Sequence, residues 1–255
     1  MDYFTAILLG AIQGVAEFLP ISSSGHLVIG EALLGGEYEN VRINVALHFG
    51  TLLSILVVYR NRLFPILKSP RLCVAIVVAT LPVVVVGLLL KDQIDRFFDT
   101  PVVAGCALCV TALLMALTRR VEHGERRLEK ISWRDALVVG LFQAIAPVPG
   151  ISRSGSTIFG GLVSGLRRDA AADFSFFIAI PALTGAMVLH LGDLLHAGES
   201  DLGWGPLLTG TVTAFGVGVV ALHGLLKLVV GRKLHWFAWY CGAVGIATII
   251  WQLLA

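Results

Sequence analysis

The sequence predicts an all-α polytopic membrane protein: six transmembrane helices plus two re-entrant helical hairpins, arranged as an inverted repeat. Three observations carry this expectation. The 255 residues are 56% hydrophobic and 14% charged, with a mean hydropathy of +0.85, far more apolar than a soluble domain of this length needs to be. Apolar runs long enough to cross a bilayer, which takes about 20 residues, recur between short charged loops. Finally, residues 10–30 return at 140–160. Gly10, Gln13, Ile21, Ser22, Ser24, Gly25 and Gly30 reappear as Gly140, Gln143, Ile151, Ser152, Ser154, Gly155 and Gly160, at a constant offset of 130.

The first apolar stretch, about 3–34, is preceded by Met1-Asp2-Tyr3, which lacks the basic region of a cleaved signal peptide, so it is expected in the mature protein. It is interrupted by Leu19-Pro20-Ile21-Ser22-Ser23-Ser24-Gly25. Pro lacks the backbone donor and Gly is permissive, so a helix should not continue through this segment. Spans follow at about 43–59, 72–90 and 102–118. A second broken stretch, about 135–166, is interrupted by Pro147-Val148-Pro149-Gly150-Ile151-Ser152-Arg153-Ser154-Gly155. The last spans are at about 174–192, 207–226 and 236–254. Irregular backbone at membrane depth is tolerated where it is buried in protein or lines a wet cavity. Re-entrant helix pairs therefore fit the broken stretches better than full spans. One membrane domain, 1–255, is expected, with repeat 1 at about 1–118 and repeat 2 at about 131–255.

Orientation follows from the positive-inside rule. Arg60, Arg62, Lys68 and Arg71, then Arg119, Arg120, Arg126, Arg127, Lys130 and Arg134, then Arg167, Arg168, Lys227, Arg232 and Lys233 fall on one side of the six spans. These loops are expected in the cytoplasm. Opposite them, Arg42, Lys91 and Arg96 are set against Asp92, Asp95, Asp99, Asp193, Glu199 and Asp201. Both termini should then lie outside. Three spans separate the hairpins, so the first enters from the outer face and the second from the cytoplasmic face. Such inverted repeats place their sites near the midplane, where the broken tips meet.

The repeat has diverged in its polar residues. Glu17, Ser23 and His26 face Pro147, Arg153 and Ser156, dividing an acid, a histidine and an arginine between the two copies. The net charge of +2 gives no reason to expect nucleic-acid binding. Cys73, Cys106, Cys109 and Cys241 lie in apolar runs and read as inert buried thiols, and Cys106-x-x-Cys109 has no further ligand nearby to complete a zinc site.

Two segments carry a family resemblance. Gln13-x-x-x-Glu17-Phe18-Leu19-Pro20-Ile21-Ser22-Ser23-Ser24-Gly25-His26 and Pro149-Gly150-Ile151-Ser152-Arg153-Ser154-Gly155-Ser156-Thr157 resemble the two signatures of the BacA-type undecaprenyl-diphosphate phosphatases. The likeness extends over the whole chain in length, spacing and span order. It implies a multi-pass protein of the bacterial inner membrane acting on a polyprenyl diphosphate lipid. The reaction would be hydrolysis of the C55 diphosphate to the monophosphate, which recycles the carrier of cell-wall synthesis and gives bacitracin resistance. Family members carry Glu or Gln at the position of Gln13, so Glu17 is the favoured acid.

Residue chemistry points the same way. A carboxylate at membrane depth costs roughly 2.5–3.5 kcal/mol if it faces lipid, so Glu17 should face a polar interior. Mg²⁺ or Ca²⁺ is typically held by one or two carboxylates and substrate phosphates, which makes Glu17 the candidate metal ligand. The Arg153 fork, at the start of a half-helix, suits phosphate oxygens. An ion pair between Arg153 and Glu17 is compatible with that role. Ser152, Ser154 and Thr157 either donate to phosphate or cap the half-helix. Gln13, Ser22 and Ser24 complete the candidate substrate-binding set. For the chemistry, two schemes stay open. Ser23 attacks with His26 or Glu17 as its base, or water attacks while His26 protonates the leaving group. His48, His190 and His223 read as structural or cavity-lining. A lipid-phosphate flippase is the alternative function, since inverted repeats with broken helices also build transporters, and a homodimer is an open alternative for assembly.

Overall fold

The structure, a computed structural model, describes residues 1–34, 41–89, 100–121, 123–196 and 203–254, with the side chains of 31, 34, 41 and 190–196 outside that description. Among the described residues the chain is helical throughout: α1 Tyr3–Ala16, α2 Ser23–Leu34, α3 Val41–Leu67, α4 Pro70–Leu89, α5 Pro101–Val121, α6 Trp133–Ala144, α7 Arg153–Val163, α8 Arg168–His196, α9 Trp204–Val230 and α10 Trp236–Leu254, with a 3₁₀ turn at Leu128–Lys130. Six of these, α3, α4, α5, α8, α9 and α10, are long and apolar enough to cross a membrane. They match the six expected spans but run further at their charged ends. α3 continues to Leu67 and α8 begins at Arg168, because Arg and Lys are good helix formers and hydrogen bonding does not stop at the first charge. Lys91, Asp92, Asp95, Arg96, Asp99, Glu199 and Asp201, used to assign the outer side, lie outside the described residues, as do the side chains of His190 and Asp193.

Each broken stretch is two short helices. α1 and α2 have 14 and 12 residues, α6 and α7 have 12 and 11, each short of the roughly 20 a span requires. Local chemistry starts them. Asp2 caps α1 by accepting from Thr5 N at 2.7 Å. Ser132 and Asp135 form a reciprocal capping box on α6. Ser152 caps α7 by accepting from Gly155 N at 3.2 Å. Nine consecutive residues of α7, Ser154 to Leu162, are buried, so this short helix is enclosed by protein on all sides.

The helices pack by exchange between the two halves of the sequence. α1 lies against α9, and α6 against α4. Gly10 and Gly140, equivalent in the repeat, make the closest approaches in these two interfaces. A Cβ on Gly10 would stand 2.5 Å from Gly210 O, and one on Gly140 would stand 2.7 Å from Ala79 O. α5 and α10 meet through Gly105 and Gly245, where small residues let the backbones touch. The core gathers around the first half of α8. Phe174, Phe176 and Ile178 are fully buried there with Phe18 and Tyr59, and the Phe18 and Phe176 rings lie 5.8 Å apart. Large apolar side chains such as Phe4, Leu88 and Trp239 point outward, as expected where the solvent is lipid.

Three of the basic segments are tied together at one end of the molecule. Arg71 donates to Ile131 O at 2.6 Å and Lys130 O at 3.0 Å. Arg126 N donates to Gly165 O at 3.2 Å, and Arg167 N to Arg126 O at 2.8 Å. The cysteine expectation needs one correction. All four thiols are free, but only Cys241 is buried and Cys106 is exposed, because an apolar run in a membrane helix has a lipid-facing side.

Candidate active site at the meeting of the two breaks

The two helix breaks abut. Ser22 has φ +63°, in the left-handed region, a conformation that costs a non-glycine residue of order 1–3 kcal/mol and needs surrounding structure to hold it. That structure comes from the other half: Ser22 Oγ accepts from Gly150 N at 3.1 Å as well as from Gly25 N at 3.3 Å. A Cβ on Gly25 would lie 2.6 Å from Gly150 Cα, and one on Gly155 would lie 3.0 Å from Pro20 Cβ. These contacts exchange at the offset of 130, Gly25 matching Gly155 and Pro20 matching Gly150. The supports exchange as well. Thr111 donates to Gly150 O at 2.7 Å, and Cys241, 130 positions on, donates to Pro20 O at 3.4 Å.

At this junction Arg153, from the start of α7, pairs with Glu17, from the end of α1. The side chains are 15% and 7% exposed, so two charges 136 positions apart meet away from water. Gln13, one turn before Glu17, donates Nε2 to Glu17 Oε2 at 3.1 Å. The other guanidinium nitrogen, Arg153 Nη1, is buried with no hydrogen-bond partner among the described residues. A buried charged donor left unsatisfied costs more than the roughly 1–3 kcal/mol of a neutral one, so this nitrogen is suited to an anionic oxygen.

His48, set aside on sequence grounds, also reaches this centre. Its Nε2 lies 3.7 Å from Glu17 Oε2, while its Nδ1 donates to Asn44 O at 2.8 Å. No local pattern in the sequence marks it, because it comes from the first span and its partner from the first break. Among the described residues no three His, Cys, Asp or Glu side chains stand close enough to hold a metal ion by themselves. Glu17 with His48 nearby fits a cation that takes its remaining ligands from substrate phosphate and water, and does not fit an all-protein cage.

The other candidate residues fall into two groups. Ser22, Ser152, Ser154 and Thr157 are buried and bonded within the protein. Ser152 Oγ caps α7 and lies 3.2 Å from Ser154 Oγ, and Thr157 Oγ1 donates to Arg153 O at 2.8 Å and meets Ser175 Oγ at 2.6 Å. Here they fasten the break that carries Arg153. Ser23, Ser24 and His26 lie at the start of α2 and are more open. Among the described residues Ser23 makes no side-chain hydrogen bond, and Ser24 Oγ lies 3.4 Å from Ser22 Oγ. His26 is bonded at Nδ1 to Ser22 O and at Nε2 to Tyr240 Oη, both at 2.8 Å, and not to Ser23 or Glu17. Thr111 and Tyr240 were not anticipated. Thr111 could have been found at the offset of 130 from Cys241; Tyr240 carries no such signal.

The comparisons with known proteins decide the family. The description "Bacitracin resistance protein BacA" fits residues 6–247 of this chain. The chain belongs to the BacA family. Proteins called undecaprenyl-diphosphatase are similar to it over their whole length: one from Rhodopirellula baltica is 44% identical across 99% of both chains, and one from Alkaliphilus metalliredigens is 38% identical across 100% of both. A third, from Halothermothrix orenii, is 39% identical over 98% of each. In BacA-family terms, the ion pair joins the two signature segments into one centre.

Proposed function

We propose that this chain hydrolyses undecaprenyl diphosphate to undecaprenyl phosphate and inorganic phosphate. It is a multi-pass membrane protein of the bacterial inner membrane, and its relatives are named for this activity. A lipid-phosphate flippase is not favoured, since the names of those relatives denote hydrolysis and not transport. The observation that carries the reading is Arg153 Nη1, buried beside the Glu17 pair and without a hydrogen-bond partner among the described residues. A diphosphate oxygen would satisfy it, with the N–H groups that open α7 adding a favourable dipole. Gln13 holds the Glu17 carboxylate by one oxygen, so the carboxylate keeps its orientation when Arg153 turns to substrate.

A divalent cation, Mg²⁺ or Ca²⁺, would be held by Glu17, with His48 as its neighbour, and would neutralise charge on the diphosphate. Enclosure of the junction by α1, α3 and α7 limits water and strengthens each electrostatic contact. Among the described residues Ser23 has no side-chain hydrogen bond and both His26 nitrogens are bonded elsewhere, to Ser22 O and Tyr240 Oη, so attack by water is the scheme better served by this arrangement. As the bond from phosphorus to the bridging oxygen breaks, His26 gives a proton to that leaving oxygen, and the proton of the attacking water stays with the released phosphate. The test is phosphate release by the purified protein in detergent from a long-chain prenyl diphosphate, beside the corresponding monophosphate. Release from the diphosphate alone is expected. No release at any divalent cation concentration would overturn the reading.

A further inference from the structure

His26 is held at both ring nitrogens, and one holder, Tyr240, has no part in the centre described above. Ser22 O lies 2.8 Å from Nδ1. A carbonyl oxygen accepts and does not donate, so Nδ1 carries a proton in either charge state of the ring. Tyr240 Oη lies 2.8 Å from Nε2, and when the ring is neutral the phenol must be the donor there. The two rings are 7° from parallel with centroids 5.5 Å apart. The stack restrains the plane of the imidazole and the hydroxyl restrains its edge.

We propose that Tyr240 is the positioning residue of His26, holding the ring by its face and edge and directing the Nε2 lone pair that the Ser22 O bond leaves. The inference rests on the proton-transfer role given to His26. Two independent features support it. First, Tyr240 is placed by the break itself, because its neighbour Cys241 is fully buried and donates to Pro20 O at 3.4 Å. Second, the pair exists in one half of the repeat. At the offset of 130, His26 corresponds to Ser156 and Tyr240 to Val110. Ser156 Oγ donates to Ser152 O at 2.7 Å, as His26 Nδ1 does to Ser22 O, so the inner bond persists in the second half. The half that lacks the imidazole also lacks the phenol.

Donation to the Nε2 lone pair fixes the direction in which that nitrogen points, so loss of the phenol hydroxyl frees the ring to turn about its bond to Ser22 O.

The test is phosphate release from a long-chain prenyl diphosphate by Tyr240→Phe, His26→Ala and the double variant, with kcat and KM read separately. Tyr240→Phe keeps the stack and loses the donor. It should lower kcat by about tenfold at little change in KM, one hydrogen bond being worth of that order. In the His26→Ala background it should have no further effect. An unchanged kcat, or a loss that multiplies that of His26→Ala, would mean that Tyr240 acts by packing alone and would overturn the proposal. If His26→Ala is as active as the wild type, the role of His26 fails and the inference falls with it. Should Tyr240→Phe fold poorly, 3-fluorotyrosine at position 240, a stronger donor of nearly the same shape, should change kcat when His26 is present and not in the His26→Ala background, and an equal change in both overturns the proposal equally.

Discussion

Glu17 and Arg153 were legible in the sequence because a charge in an apolar segment is costly unless it has a partner, and the structure gives each the other. His48 and Tyr240 were not legible. A single histidine or tyrosine in an apolar helix has the same local pattern whether it faces lipid, core or site, and only tertiary packing puts them 3.7 Å from Glu17 and 2.8 Å from His26. The repeated glycines look alike in sequence but differ in packing. Gly25 faces backbone, Gly150 Cα at 2.6 Å from its notional Cβ, whereas Gly30 has nothing within 4 Å. Backbone cannot yield as a flexible side chain does, so Gly25→Ala should destabilise the protein by about 1–3 kcal/mol. Gly30→Ala should be neutral or stabilising by up to about 1 kcal/mol, Ala being the better helix former. Thermal unfolding midpoints in detergent check both; equal midpoints for the two variants would contradict the packing of the breaks.

At the scale of elements, the six apolar helices and the two broken stretches were readable because lipid demands long apolar runs and Pro–Gly segments interrupt them. Helix ends were not, since charged residues extend helices past the apolar run. Nor was the fastening of the loop before α6. Arg126 donates to both Asp135 oxygens, at 2.9 and 3.0 Å, and to Ser164 O, joining this loop to the end of α7. Asp135, in the first turn of α6 and outside the six spans, is pushed up by burial, but hydrogen bonds from Ser132 and Arg126 outweigh this and hold it below the usual carboxylate range. A carboxylate lowered on folding contributes stability that is present above its unfolded value, about 3.9, and is lost as pH falls through its lower folded value. Cleavage of the 122–132 loop by an acid-active protease should therefore rise between pH 5 and pH 2 in the wild type. Asp135→Asn should be cleaved readily across that range with a flatter dependence. The same steep rise in both would assign the fastening to another group.

For the whole molecule, contacts of one half recur in the other at the offset of 130, and α1 on α9 mirrors α6 on α4. A repeat in which each half packs on the other explains why the breaks meet, and why neither carries a full set of polar groups. With the basic loops inside, both termini should be outside. Cysteine placed at Asp2 or Leu254, in a background without other cysteines, should be labelled by an impermeant reagent in intact cells; protection at both positions would contradict this orientation. The central claim is that the two breaks form one phosphate site around Glu17 and Arg153. Its most direct test is phosphate release by Glu17→Gln and Gln13→Ala over a full range of Mg²⁺ and Ca²⁺ concentrations. The account predicts no release from Glu17→Gln at any concentration and a much smaller loss in Gln13→Ala, whereas equal losses, or activity in Glu17→Gln near that of the wild type, would contradict it.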